Sequence, residues 1–146
     1  MTEPVQKVDG TLGLDEKEGS TVDRDAQLEV LRSIAKGFDT HDLDLIMSSF
    51  TDDAVFESPR GSEPWGTRFA GTTAIREAFA GRFAGIPDVR YLHDEHFVDG
   101  DRGASEWTLS GTTADGQRIE VRGCDLWTFR DGQVVKKDSY WKIRTE

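Results

Sequence analysis

The first half of the chain carries apolar residues at three- and four-residue spacing in three separate stretches. The spacing places each set on one face of an amphipathic helix. The first stretch starts after Asp23, the second follows a capping Asp42, and the third is capped by Thr72 or Thr73. The three stripes are Leu28, Leu31, Ile34, Ala35 and Phe38; Leu43, Ile46, Met47 and Phe50; and Ile75, Ala78, Phe79 and Phe83. We therefore expect three helices that pack their stripes into a core.

After Pro87 the pattern changes from helical to alternating, which is typical of strands. Turn signals at Asp99-Gly100, Asp115-Gly116 and Asp131-Gly132 divide this part into four strands of an antiparallel meander. One earlier short strand, residues 54–58, alternates in the same way. The order of elements predicts an α+β fold, a curved antiparallel sheet packed on three helices of the N-terminal half.

The length of 146 residues suits one domain, which we place at residues 21–146. Residues 1–20 hold charges, glycines and few large apolar side chains, so we expect a flexible acidic tail there. The net charge of 18 − 28 = −10 argues against nucleic acid and anionic membranes as partners. No long apolar run and no secretory signal is visible, and Cys124 is the single cysteine, so we expect a cytoplasmic protein.

Two hairpins of the meander bring acidic residues together if their turns are tight. A two-residue turn at Asp115-Gly116 places Glu106 opposite Asp125 with both side chains on one face. A two-residue turn at Asp131-Gly132 adds Asp138 on the other side of Asp125. A bulge in the last strand is the alternative, because one extra residue moves every later side chain to the opposite face. The bulge would replace Asp138 and Tyr140 by Lys137, Ser139 and Trp141.

Two carboxylates about 5 Å apart in a partly dry cavity do not both ionise freely, so one keeps a proton near neutral pH. Such a pair offers an acid beside a base, as isomerisation, elimination or ring closure requires. The structural alternative is a solvated sheet face whose acids never meet a ligand. We expect no metal ion and no cofactor, because His93 and His96 on one strand point to opposite faces and no nucleotide-binding motif is present.

Four segments carry a resemblance to a known family: FTDDAVF at residues 50–56, GSEP at 61–64, GTTAIRE at 71–77, and CDLWTF at 124–129 running into a DG turn. They resemble the nuclear transport factor 2-like superfamily, in particular its SnoaL-like and ketosteroid isomerase-like branches. The resemblance implies a cone-shaped fold and places Asp125 at the oxyanion-binding aspartate of the steroid isomerases. Their general base falls on Ser58 and their tyrosine on Ile34, and the arginine of the epoxide-hydrolysing relatives falls on Ala104.

We expect a cavity for a small apolar organic molecule, with Asp125 as acid and Glu106 as base or partner. The predicted binding residues are Phe56, Ser58, Trp65, Thr108, Trp127, Asp138, Tyr140 and Trp141. The predicted function is cofactor-independent acid-base chemistry, by an isomerase, lyase or cyclase, on a cyclic or carbonyl-bearing compound. A non-catalytic binding or accessory protein is the alternative. The resemblance also implies a homodimer through the outer sheet face, where Trp107 and Leu109 would lie if Glu106 and Asp125 face inward.

Overall fold

The computed structural model describes residues 23–145. The predicted tail, residues 1–20, lies outside this range, and the domain boundary at residue 21 stays a prediction. The described range holds three helices: α1 (residues 23–40), α2 (Leu43–Met47) and α3 (Thr72–Gly85). It holds six strands: β1 (Phe50–Glu63), β2 (Gly66–Ala70), β3 (Arg90–Asp99), β4 (Arg102–Thr112), β5 (Arg118–Arg130) and β6 (Gln133–Trp141).

The six strands form one sheet in the order β2-β1-β6-β5-β4-β3. All neighbouring pairs are antiparallel except β1 and β6, which run parallel. The helical stripes pack against the sheet, and the buried residues from the helices are Leu31, Ile34, Phe38, Ile46, Ile75 and Phe79. The predicted α+β class, with helices packed on a curved sheet, is therefore confirmed.

The hairpin between β4 and β5 differs from the prediction by one residue. Its loop contains Ala114, Asp115 and Gly116, because the amide of Thr113 donates to the carbonyl oxygen of Gln117. Three-residue loops of this kind place glycine in the left-handed region, and Gly116 has φ 93°. The pairing consequently shifts by one position along both strands.

This shift places Ser105, not Glu106, opposite Asp125. Glu106 pairs with Cys124 and is exposed on the outer face, so the predicted carboxylate pair is wrong. A slip of one residue exchanges the two faces of a strand, and Trp107 and Leu109 accordingly lie in the core. They cannot support the predicted homodimer, which now depends on the family resemblance alone.

The hairpin between β5 and β6 has the predicted two-residue turn. Asp131 and Gly132 both have positive φ, 53° and 79°, as a type I′ turn requires. The register then shifts, because Val134 pairs with Phe129 and Lys136 with Thr128, which leaves Val135 as an extra residue. The bulged alternative is therefore the one observed.

The segment after residue 58 is more regular than its glycines and prolines indicate. Strand β1 continues through Pro59 to Glu63 and forms a hairpin with β2. Trp65 lies in the connecting turn and is partly exposed. Across residues 23–145, no helix combines the length and apolar character needed to cross a membrane.

Candidate functional site

A cavity of about 60 Å³ lies between α1, α3 and the inner face of the sheet. Seven of the residues that line it are Phe, Tyr or Trp: Phe38, Phe56, Phe79, Tyr91, Trp107, Trp127 and Trp141. Polar side chains from β3, β4, β5 and β6 also reach this space. A mainly apolar cavity with a few convergent polar groups is the usual form of a small-molecule site.

The first polar group is a buried ion pair between Asp125 and Lys137. Each residue has only 6% of its surface exposed, and Lys137 Nζ lies 2.8 Å from Asp125 Oδ1. Asp125 accepts two further hydrogen bonds, from Trp107 Nε1 at 2.8 Å and from Ser139 Oγ at 2.5 Å. Three donors are thus directed at the two oxygens of one carboxylate, and the Lys137 ammonium is its counterion.

Lys137 lies among the faces of four aromatic rings. Its Nζ is 4.8 Å from the ring centre of Phe56 and 5.5 Å from that of Trp127, and Phe38 and Phe79 are at similar distances. Burial lowers the pKa of the Lys137 ammonium, and the neighbouring Asp125 opposes this change. Asp125 and Ser139 accept two of the three ammonium N–H bonds, and the third is available to another acceptor.

A second polar network connects β3, β4 and β5. His96 Nε2 lies 2.8 Å from Asp94 Oδ2, and His96 Nδ1 lies 2.7 Å from Ser105 Oγ. Trp127 Nε1, which can only donate, donates to Ser105 Oγ at 2.9 Å. The Ser105 hydroxyl can therefore donate to Nδ1 while Nε2–H donates to Asp94. The order carboxylate, imidazole, hydroxyl is that of a Ser-His-Asp triad. In such triads Nδ1 faces the carboxylate and Nε2 faces the hydroxyl, whereas here the two nitrogens have the opposite roles.

The pairing of β3, β4 and β5 brings these networks together. The register of β3 shifts between Leu92 and Glu95, and His93 there has φ 56°, in the left-handed region. Asp94 and His96 are two positions apart on β3, so they share a face and both line the cavity, while His93 is exposed. Ser105 and Asp125 are direct cross-strand partners, so their Cβ atoms are about 5 Å apart and the networks are adjacent.

Four of the predicted site residues line the cavity: Phe56, Asp125, Trp127 and Trp141. Four others, Ser58, Trp65, Asp138 and Tyr140, line a surface groove beside it. Tyr140 is exposed and its hydroxyl donates to Asp138. Glu106 and Thr108 share the outer face of β4, so the structure does not bring them to the cavity.

Sequence reasoning missed His96 and Ser105 and named Lys137 and Ser139 only under the bulged alternative. Ser105 falls one position from the predicted Glu106, and a correct loop length at residues 114–116 would have identified it. His96 was considered only as a metal ligand. No local signal marked the bulge at His93. Within the described range, no group of three or more His, Cys, Asp or Glu side chains is placed to hold a metal ion.

The family model described as SnoaL-like domain matches residues 30–137, which include every element from β1 to β5 and all residues of the two networks except Ser139. The chain belongs to the SnoaL-like domain family. Comparison with curated protein sequences gives no significant match.

This SnoaL-like domain also resembles solved structures of the nuclear transport factor 2-like cone fold. A proposed polyketide cyclase from Xanthomonas campestris pv. campestris has TM-score 0.73 and 17% identity, over 82% of this chain and 93% of that one. TerC, crystallised with polyporic acid, has TM-score 0.70 and 23% identity, over 80% of this chain and 92% of that one. A protein of unknown function from Mesorhizobium loti has TM-score 0.69 and 29% identity, over 82% of this chain and 93% of that one. The first two likenesses concern the fold alone.

Proposed function

We propose that this SnoaL-like domain is a cofactor-independent acid-base enzyme, an isomerase, lyase or cyclase, acting on a small apolar cyclic or carbonyl-bearing compound. The observation that carries the proposal is the pair of adjacent polar networks, one with the buried Lys137-Asp125 salt bridge and one with a His96-Ser105 relay, in one aromatic cavity. Fold alone does not decide function in this family, so the side chains must support the assignment.

Lys137 is the group that would stabilise negative charge on the substrate. Its third N–H bond lies in a space walled by ring faces, where a hydrogen bond to a carbonyl oxygen strengthens as that oxygen becomes an enolate. Asp125 and Ser139 hold the ammonium in place. Removal of one preorganised donor of this kind costs about 10²–10³ in rate.

Ser105 and His96 would move the proton. Ser105 Oγ takes a proton from the carbon next to the carbonyl while its own proton passes to His96 Nδ1. Asp94 then stabilises the imidazolium through Nε2–H. The reverse transfer delivers the proton to a different atom and restores the resting state. The relay supplies the base that we expected from Glu106, and positioned proton transfer contributes about 10²–10⁴ in rate.

The test measures proton exchange, which does not require the natural substrate. The probe is 2-tetralone in D2O, and NMR follows deuterium entering its acidic carbon position. We expect catalysed exchange by the wild type, and a loss of 10²-fold or more in Ser105→Ala, His96→Gln and Lys137→Met. Glu106→Gln is the matched control on the same strand and keeps the wild-type rate. Full exchange activity in both Ser105→Ala and Lys137→Met would rule out this mechanism.

A second candidate, a ligand-binding protein without turnover, has its own support. The Asp125 carboxylate is already engaged by three donors, Trp107, Lys137 and Ser139, so the pair can serve as a fixed polar contact for a ligand without taking part in a reaction. Saturable binding of 2-tetralone with no exchange above the buffer rate would favour this function.

Two further expectations, on oligomeric state and on location in the cell, belong to the proposal. The family resemblance supports a homodimer through the outer sheet face, which light scattering coupled to size exclusion measures. The net charge of −10 and the single Cys124 support a cytoplasmic location, and fractionation of cells that express the chain tests it.

A further inference from the structure

Arg82 is the cavity residue that neither network uses. It lies near the C-terminal end of α3, lines the cavity and is half-buried. Its guanidinium carbon lies over the face of the Trp141 indole, 4.5 Å from the ring centre, which is a cation–π contact. Stacking uses the face of the group and leaves the N–H bonds along its edge available.

The charge of Arg82 has no counterion among residues 23–145. Five other arginines of this range pair with carboxylates, and one of them, Arg76 on the same helix, lies 2.6 Å from Asp44. The two carboxylates that line the cavity are engaged elsewhere, Asp125 by Lys137 and Asp94 by His96. Burial lowers the pKa of Arg82, and the nearby charged group Arg60 lowers it further. A half-buried cation without an anion is costly, and an anionic ligand removes that cost.

Tyr91 adds a second unused donor. The residue lines the cavity, and burial raises the pKa of its hydroxyl, so the phenol keeps its proton near neutral pH. Within the range that the structure describes, no side chain or carbonyl accepts a hydrogen bond from this hydroxyl. The Tyr91 ring centre lies 5.3 Å from that of Trp107, which lies 6.4 Å from that of Trp141, the ring that Arg82 covers. This row of rings brings both donors to the same end of the cavity.

We propose that Arg82 and Tyr91 form an anion subsite, so that the ligand of this cavity is an aromatic or alicyclic carboxylate. The planar guanidinium edge binds the two carboxylate oxygens, and the Tyr91 hydroxyl donates to one of them. The apolar ring system extends toward Phe56 and Trp127, beside Lys137. This inference rests on the proposed function only in assuming that the cavity receives the reacting molecule.

A matched pair of probes, 2-naphthoate and its neutral amide 2-naphthamide, isolates the contribution of the charge. We expect the wild type to bind the carboxylate at least ten-fold more tightly than the amide in isothermal titration. Arg82→Gln should weaken naphthoate binding at least ten-fold and leave the affinity for the amide within two-fold. Tyr91→Phe should weaken naphthoate binding about three- to ten-fold, as expected for one neutral donor.

Arg76→Gln is the control, because it makes the same substitution on the same helix at a surface ion pair and should change neither affinity. Unchanged affinity for the amide also shows that Arg82→Gln remains folded. Equal affinity of the wild type for both probes, no binding of either, or an unchanged preference in Arg82→Gln would each overturn the anion subsite. The titration measures no turnover, so its failure leaves the tetralone exchange result intact, and failure of exchange leaves the titration interpretable.

Discussion

Replacement of Asp125 by asparagine is the sharpest perturbation of this protein. The change keeps the size of the side chain and an oxygen that Trp107 and Ser139 can still donate to. It removes the carboxylate that is bound to the Lys137 ammonium. Lys137 is only 6% exposed, and its ammonium is surrounded by aromatic rings. The variant therefore holds a buried positive charge without a counterion.

The expected cost follows from that burial. Breaking a buried pair by removing one partner costs about 3–5 kcal/mol of unfolding free energy. For a domain of this size the melting temperature should fall by roughly 10–20 °C. Urea denaturation measures the free energy and thermal unfolding measures the melting temperature, both followed by tryptophan fluorescence, because Trp107 and Trp127 are buried reporters beside the pair.

A second substitution separates the charge from other effects. Lys137→Met in the Asp125→Asn background removes the unpaired cation and keeps the length of the side chain. Replacing a buried pair by uncharged groups is often neutral, so the double variant should regain most of the lost stability. The interaction energy from the double-mutant cycle should then be at least about 2 kcal/mol.

The pH dependence has a definite sign. Burial holds the pKa of Lys137 below its usual 10.5 in the native state, and Asp125 limits that decrease. Between the native pKa and about 10.5 the unfolded chain binds more protons, so stability rises with pH in that window. Without Asp125 the native pKa of Lys137 falls further, so the pH range in which stability rises begins at a lower pH. The destabilisation by Asp125→Asn should thus be largest at neutral pH and shrink as the pH approaches 10.5.

A loss below about 1 kcal/mol at neutral pH would refute the reasoning, since it would mean that Lys137 reaches water or lacks its charge. A double variant as unstable as Asp125→Asn would equally show that the cost does not come from the cation.

Three further substitutions test the geometry around this pair. Gly123→Ala should cost about 1–3 kcal/mol in urea denaturation, because a new Cβ would lie 2.4 Å from the Trp107 ring and 2.6 Å from the Tyr140 carbonyl oxygen; wild-type stability would mean that the indole lies elsewhere. Trp107→Phe removes the donor to Asp125 and should lower the unfolding free energy by about 1–3 kcal/mol in the same assay, and no change would argue against that hydrogen bond. Glu106→Gln should keep the tetralone exchange rate within two-fold of the wild-type rate, and a ten-fold loss would show that Glu106 takes part in the reaction.

The sequence alone determined the local features of this protein. The apolar stripes and the turn signals depend on neighbouring residues, and they located the three helices and the four strands after Pro87. The turn at Asp131-Gly132 was predictable in type as well as position, since both residues tolerate positive φ. The resemblance also marked Asp125, which does line the cavity.

The tertiary structure decided which side chains face the cavity. An Asp-Gly pair fits a two-residue or a three-residue loop, and the choice at Asp115-Gly116 exchanged Glu106 for Ser105 opposite Asp125. The bulge at Val135 brought in Lys137, and the pairing of β3 with β4 placed His96 opposite Ser105. Side chains alternate with a period of two, so a single extra residue reverses a whole strand. An extra residue of this kind is stabilised by the long-range packing of a curved sheet on its helices, and a local sequence pattern does not reveal that packing.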